Sequence, residues 1–148
     1  MSYVGPSSLI TLLEAFPAHY RPYLGQFYSA VGDPLNEADR VDMKARSPIN
    51  FVDVIKTPLL LVQGANDPRV TKVEADNIAR VMKGKNMPVE YILATDEGHG
   101  FQKRINKLSY VVAMEHFFAK HLGGRKSTDV PQAIEQHLNT LKVDINKL

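Results

Sequence analysis

Two acid–base side chains lie in segments that read as strands breaking into polar loops. Asp67 belongs to Leu59-Leu-Leu-Val-Gln-Gly-Ala-Asn-Asp-Pro-Arg-Val70, and His99 to Ala94-Thr-Asp-Glu-Gly-His-Gly-Phe101. A carboxylate that fixes an imidazole tautomer and stabilises its protonated form, with that imidazole as proton acceptor, makes two thirds of a nucleophilic triad. The remaining third is a hydroxyl or thiol. The chain has no cysteine, and its serines have plainer uses. Ser7 comes closest, but Gly5-Pro6-Ser7-Ser8-Leu9 puts proline before the serine and leucine where a nucleophile elbow needs its second glycine. Ser2 and Ser8 flank the same segment, Ser29 lies in an aromatic helical stretch, and Ser47 precedes Pro48. Ser109 falls near a helix start and Ser127 in the tail.

Other chemistries fit less well. His116 and His121 flank Phe117-Phe118 without the spacing of a zinc-binding helix, and His19 and His137 stand alone, so no metal is assigned. Asp96 and Glu97 are better read as shaping the His99 loop than as ligands. Neither glycine-rich phosphate motif occurs, and no cofactor is implied. Arg69 reads as an aid to the Asp67 loop or to a substrate carboxylate, or as a surface ion-pair partner. Phe101 reads as packing behind the histidine.

The elements that must position Asp67 and His99 follow from hydrophobic spacing. Tyr3-Val4 reads as a strand end, and Ser8 as the cap of a helix with Leu9, Leu12, Leu13 and Phe16 on one face, ending at Pro17. A second helix follows Pro22 with Tyr23, Leu24, Phe27, Tyr28 and Val31. Its aromatic residues, with Tyr20, would form core or line a pocket. Asp33-Pro34 predicts a third helix start with Ala38, Val41 and Ala45 inward. Leu59-Leu-Leu-Val62 has no polar alternation, as expected of a central parallel strand covered on both faces. Thr71 and Glu74 have capping-box spacing before a stripe of Ala75, Ile78, Ala79 and Met82, ended by Gly84. Val89–Ala94 is the next strand. Leu108, Val111, Val112, Met114, Phe118 and Leu122 predict the inward face of the last core helix, stopped by Gly123-Gly124. Strand, helix, strand, helix is a doubly wound, mostly parallel α/β arrangement, and such sheets carry function at the carboxyl ends of their strands.

Size and charge bound the partners. A chain of 148 residues with 44% apolar content suits one domain, and a formal net charge of +2 is too small for a nucleic-acid footprint. No apolar run is long enough to cross a membrane, the opening Met-Ser-Tyr-Val-Gly-Pro lacks the pattern of a signal peptide, and the absence of cysteine fits a cytoplasmic protein. In the tail, Ile134, Leu138, Leu141 and Ile145 recur at three- and four-residue intervals, a helix able to dock on the body or on another copy.

Ser47-Pro-Ile-Asn50, Thr57-Pro58 through Asn66-Asp67-Pro-Arg-Val70, Val89-Glu-Tyr91, Asp96-Glu-Gly-His-Gly-Phe101 and Phe117-Phe-Ala-Lys-His-Leu-Gly-Gly124 together resemble the C-terminal part of a prolyl oligopeptidase family catalytic domain, of acylaminoacyl-peptidase or dipeptidyl-peptidase type. The resemblance spans residues 3–124, so residues 1–124 would be the C-terminal portion of an α/β-hydrolase domain and 125–148 a tail. It implies Asp67 as triad acid and His99 as general base, in the α/β-hydrolase chain order of nucleophile, acid, histidine. It also implies that the serine, the oxyanion hole and further strands lie before Met1. The complete enzyme would cleave peptides or acyl-peptides, and this piece alone would be inactive. The alternatives are a fragment of an esterase-like hydrolase and a noncatalytic association scaffold. A partial sheet would leave the strand at Leu59–Val62 with an exposed apolar face or edge, favouring self-association or a complementary N-terminal fragment.

Overall fold

Three parallel strands in the order β1-β2-β3 organise the computed structural model, which describes residues 1–148: β1 Ser2–Tyr3, β2 Leu59–Gly64 and β3 Val89–Ala94. β2 is central, with Tyr3 opposite Val62 on one side and Val62 opposite Ile92 on the other. Its apolar run is explained by two-sided burial. Leu60 and Val62 pack with Ile92, Ala94, Phe101, Ala113, Phe117, Leu138 and Leu141, whereas Leu61 packs with Val52, Ala75, Ile78, Ala79, Met82 and Tyr91. One face is thus covered by α5 (Arg104–Leu122) and α6 (Gln132–Leu141), the other by α4 (Lys72–Gly84) and a 3-10 segment at Pro48–Val54. Leu60, Leu61 and Val62 are at most 3% exposed, so the expected exposed apolar face on β2 does not occur, and β1 pairs with its edge at Leu61 and Val62. The outer edge of β1 is the unpaired one on that side.

The tail closes the other side. Residues 125–148 fold back on the body, with Ile134, Leu138 and Leu141 of α6 buried. Beyond α6, Lys142 bridges Ile92 in antiparallel fashion, and Val143 N–H donates to the Tyr91 carbonyl at 2.9 Å. These contacts satisfy part of an edge that would otherwise template foreign strands. A final 3-10 turn, Ile145–Lys147, lies against the end of α4, where Lys83 reaches Asn146.

Between β1 and β2 run three short helices, α1 (Leu9–Glu14), α2 (Leu24–Val31, preceded by a 3-10 segment at Ala18–Tyr23) and α3 (Glu37–Arg46). Ser8 caps α1 as expected. The aromatic face of α2 is only half-buried, with Phe27 against Phe16 at 4.8 Å between ring centroids. α3 begins at Glu37 rather than at Pro34, because Asn36 supplies the cap by accepting from Asp39 N–H. Its inward residue is Met43, while Ala38, Val41 and Ala45 are exposed.

α5 is turned differently from the expected face. Asn106, Ser109, Ala113 and Phe117 are buried and, of the expected residues, Val112 and Met114 pack half-buried against the core, whereas Leu108, Val111, Phe118 and Leu122 form an outward apolar stripe. No helix is long and apolar enough to cross a membrane.

The capping box at α4 is absent. Thr71 makes no side-chain cap, and Glu74 is 1% exposed with its carboxylate turned to the β1–α1 turn. It accepts from Ser7 N–H at 2.9 Å, Ser7 Oγ at 2.6 Å, Ser8 N–H at 3.0 Å and Thr11 Oγ1 at 2.5 Å. A buried carboxylate is tolerable when donors saturate it, and here the orphan N–H groups ahead of α1 are among them. Replacing it strands several buried donors at once. Glu74→Ala is expected to lower unfolding free energy by about 3 kcal/mol in urea denaturation, and an unchanged midpoint would contradict the anchoring role.

Candidate active site

The loops leaving β2 and β3 meet backbone to backbone. Asn66 N–H donates to the Glu97 carbonyl and Ala65 N–H to the Ala94 carbonyl, both at 2.9 Å, and Asn66 Nδ2 donates to the Thr95 carbonyl at 2.8 Å. Gly64 makes this possible. A Cβ there would stand 2.7 Å from the Glu97 carbonyl oxygen and collide with that of Gly98, so any side chain would drive the loops apart. Gly98 itself has room for a Cβ, while Gly100 is required by its φ of 101°, which bends the chain back after His99.

That junction brings Asp67 and His99 together across 32 residues of sequence. Asp67 Oδ2 lies 2.8 Å from His99 Nδ1. The Asp67 carboxylate is fully buried and the imidazole one-third exposed. Oδ1 accepts from Arg69 N–H at 2.8 Å and Val70 N–H at 3.0 Å, as an aspartate at the head of a turn does. Oδ2 also accepts from Gln63 Nε2 at 3.3 Å, and that amide is fixed further by the Val70 carbonyl at 2.8 Å. With its acceptors occupied by fixed donors, Asp67 holds Nδ1 as the protonated ring nitrogen. Nε2 then carries the lone pair and has no partner within the chain.

The histidine loop is held from two further directions. Phe101 N–H donates to the Tyr3 hydroxyl at 2.5 Å, and Phe101 is buried edge-on between Tyr3 and Tyr110, the packing role its sequence suggested. Burial pushes the Tyr3 phenol above its ordinary value, keeping it neutral. On the other side Glu97, 4% exposed, accepts from Gln102 N–H, Lys103 N–H and Asn106 Nδ2 at 2.8, 2.8 and 2.9 Å. Burial works against its charge, but these donors at the start of α5 outweigh it and hold the carboxyl below its ordinary value. Asp96 is lowered too, chiefly by Lys103 at 2.6 Å and then by Asn106. The acidic pair therefore shapes the loop.

No serine hydroxyl hydrogen-bonds to His99. Ser7 Oγ is buried on Glu74, Ser47 Oγ donates to the Met43 carbonyl at 2.7 Å, and Ser109 Oγ faces the Ile134 carbonyl. Arg69 makes no ion pair; its Nε donates to the Tyr20 hydroxyl at 2.6 Å, tying the segment Ala18–Tyr23 to the Asp67 loop. Sequence reasoning passed over Gln63, Gly64, Tyr3 and Asn106. A polar Gln63 inside an apolar strand was the available signal for the first.

Residues 13–125 match the model of the prolyl oligopeptidase family. Dipeptidyl aminopeptidase BIII of Pseudoxanthomonas mexicana is 45% identical over 122 residues, which cover 82% of this chain and 18% of that protein. Dipeptidyl peptidase family member 6 of Caenorhabditis elegans is 38% identical over 122 residues, 82% of this chain and 16% of its own. The chain thus spans less than a fifth of these relatives. Among solved structures, a puromycin-hydrolyzing peptidase of Mycobacterium tuberculosis superposes with a TM-score of 0.74 at 30% identity, over 88% of this chain and 19% of that one. The acylaminoacyl peptidase of Pyrococcus horikoshii, at 20% identity, shares the fold with a TM-score of 0.72 over 93% of this chain and 22% of its own.

Because the Glu97 pKa is depressed in the folded state, its contribution to stability is present above the unfolded value and is lost as pH falls through the folded one. Glu97→Gln should therefore cost about 1–3 kcal/mol at neutral pH. Urea titrations of the two proteins should converge as pH drops through the carboxylate range, and a deficit that stays constant with pH would contradict the assignment.

Proposed function

Since the chain belongs to the prolyl oligopeptidase family, we propose that Asp67 and His99 are the acid and base of a serine-peptidase triad, and that residues 1–124 form the C-terminal portion of its α/β-hydrolase domain. The observation that carries this is the 2.8 Å contact between the buried Asp67 carboxylate and His99 Nδ1 at the carboxyl edge of a parallel sheet. In the reaction, His99 Nε2 takes the proton of a serine hydroxyl as that oxygen attacks the carbonyl. The imidazolium, stabilised by Asp67, then returns the proton to the leaving amine. The serine and the oxyanion donors come from a part of the catalytic domain outside these 148 residues. Relatives named as a dipeptidyl aminopeptidase and acylaminoacyl peptidases support peptides or acyl-peptides as the substrate class.

Without those groups the chain is inactive. A fluorophosphonate probe should leave the intact mass of the 148-residue chain unchanged, and an adduct on Ser7 or Ser8 would sink the proposal. Joined to a segment that carries a G-x-S-x-G serine, the chain should turn over peptide substrate. There Asp67→Asn should lower kcat about 10⁴-fold, with KM little altered. Retention of activity in Asp67→Asn or His99→Ala would remove the pair from the mechanism.

An association role has its own support. The outward stripe of α5, with Leu122 79% exposed, and the unpaired edge of β1 leave apolar and hydrogen-bonding surface in want of a neighbour. Sedimentation should show self-association rising with concentration, and a stable monomer at low micromolar levels would remove this role.

A further inference from the structure

α6 lies beyond residues 13–125, which match the family model, yet one of its side chains reaches toward the His99 loop. His137 Nε2 is 2.6 Å from Asn106 Oδ1. Asn106 is completely buried and gives its amide hydrogens to two carboxylates, Asp96 Oδ1 and Glu97 Oε1, each at 2.9 Å. Those acceptors fix the amide orientation, since the flipped form would turn Oδ1 against two negative groups. Oδ1 is therefore an acceptor, and His137 must donate from Nε2.

From Asn106 the connection runs directly into the site. Glu97 stands two residues before His99, and its carbonyl receives the N–H of Asn66, the neighbour of Asp67. Moving Glu97 displaces both members of the pair. The docking of α6 does not need His137, because Ile134, Leu138 and Leu141 bury the helix on the core. His137 is the one side chain of α6 that hydrogen-bonds to another element.

We propose that His137 is a positioning residue, which holds the loop of His99 through Asn106 and Glu97 and so makes the C-terminal helix part of the active-site support. The inference rests on the reading of His99 as the catalytic base. A donor is required at position 137. Gln supplies one at similar reach, whereas Glu, of the same length, turns an acceptor toward Asn106 Oδ1.

The test uses the 148-residue chain itself, by proton NMR of the His99 Nδ1–H shared with Asp67, assigned by its loss in Asp67→Asn. His137→Gln should exchange that proton with solvent at nearly the native rate. His137→Glu should exchange it at least about ten-fold faster, as expected when a buried hydrogen bond no longer opposes local opening. Equal rates in all three proteins would overturn the proposal. So would an equal acceleration in Leu138→Ala, which loosens α6 while leaving the imidazole in place and would assign the effect to packing. The two readings fail separately. No difference between the Gln and Glu variants, alongside loss of turnover in Asp67→Asn, removes only the role of His137. A persistent difference with unaffected turnover removes only the catalytic reading of the pair.

Discussion

Gly64 sits where two polypeptide backbones come closer than any side chain allows, and the geometry of the site descends from that approach. β2 and β3 run parallel in strict register from Leu59 opposite Val89 to Gly64 opposite Ala94, so their loops leave the sheet at the same level. Adjacent loops alone would not suffice. With a Cβ at Gly64 the carbonyls of Glu97 and Gly98 would have to retreat, and the 2.8 Å contact of Asp67 with His99 would open with them. A hydrogen bond of that kind depends steeply on distance and angle, so a displacement well under one side-chain diameter is enough to lose it.

Three buried carboxylates solve related problems nearby. Glu74 gathers the N–H groups ahead of α1, Glu97 those at the start of α5, and Asp67 those of its own turn. In each case a charge that would be costly to bury is balanced by backbone donors that would be costly to leave unpaired. Glu74 and Glu97 spend both oxygens on structure. Asp67 differs in turning one oxygen, shared with Gln63 Nε2, to an imidazole, whereas the other two only hold the chain in shape.

What the sequence made legible was the part governed by local pattern. β2, β3 and the buried stripe of α4 follow from runs and spacings, and so does the apolar face of α6, although its spacing left open whether it docks on the body or on another copy. α5 did not, because apolar residues occur all round it. Periodicity favoured Leu108, Val111, Val112, Met114, Phe118 and Leu122, of which only Val112 and Met114 pack against the core; the core accepts the smaller side, Ser109 and Ala113 with Phe117, and buries Asn106 to serve Glu97. The Thr71–Glu74 spacing was equally ambiguous: it satisfies a helix cap locally, and a tertiary demand from Ser7 and Ser8 overrides it. Asp67 and His99 stood out through their loop motifs, yet Tyr3 and Gly64 were hidden because the residues they meet, Phe101 and Glu97–Gly98, are far away in sequence, and Asn106 because it joins Glu97 to a residue of α6.

The Asp67–His99 contact is held in place by this chain's own hydrogen bonds. Within this chain the contacts that orient Asp67 and His99 are Gln63 and the turn amides for the carboxylate, and Tyr3 through Phe101 and the Glu97–Asn106 cluster for the imidazole loop. A donor network already in place costs no reorganisation when charge develops on the imidazole, which is the condition under which fixed dipoles lower a barrier most. On the proposed reading, a serine hydroxyl would meet Nε2 of a ring whose orientation Asp67 already sets.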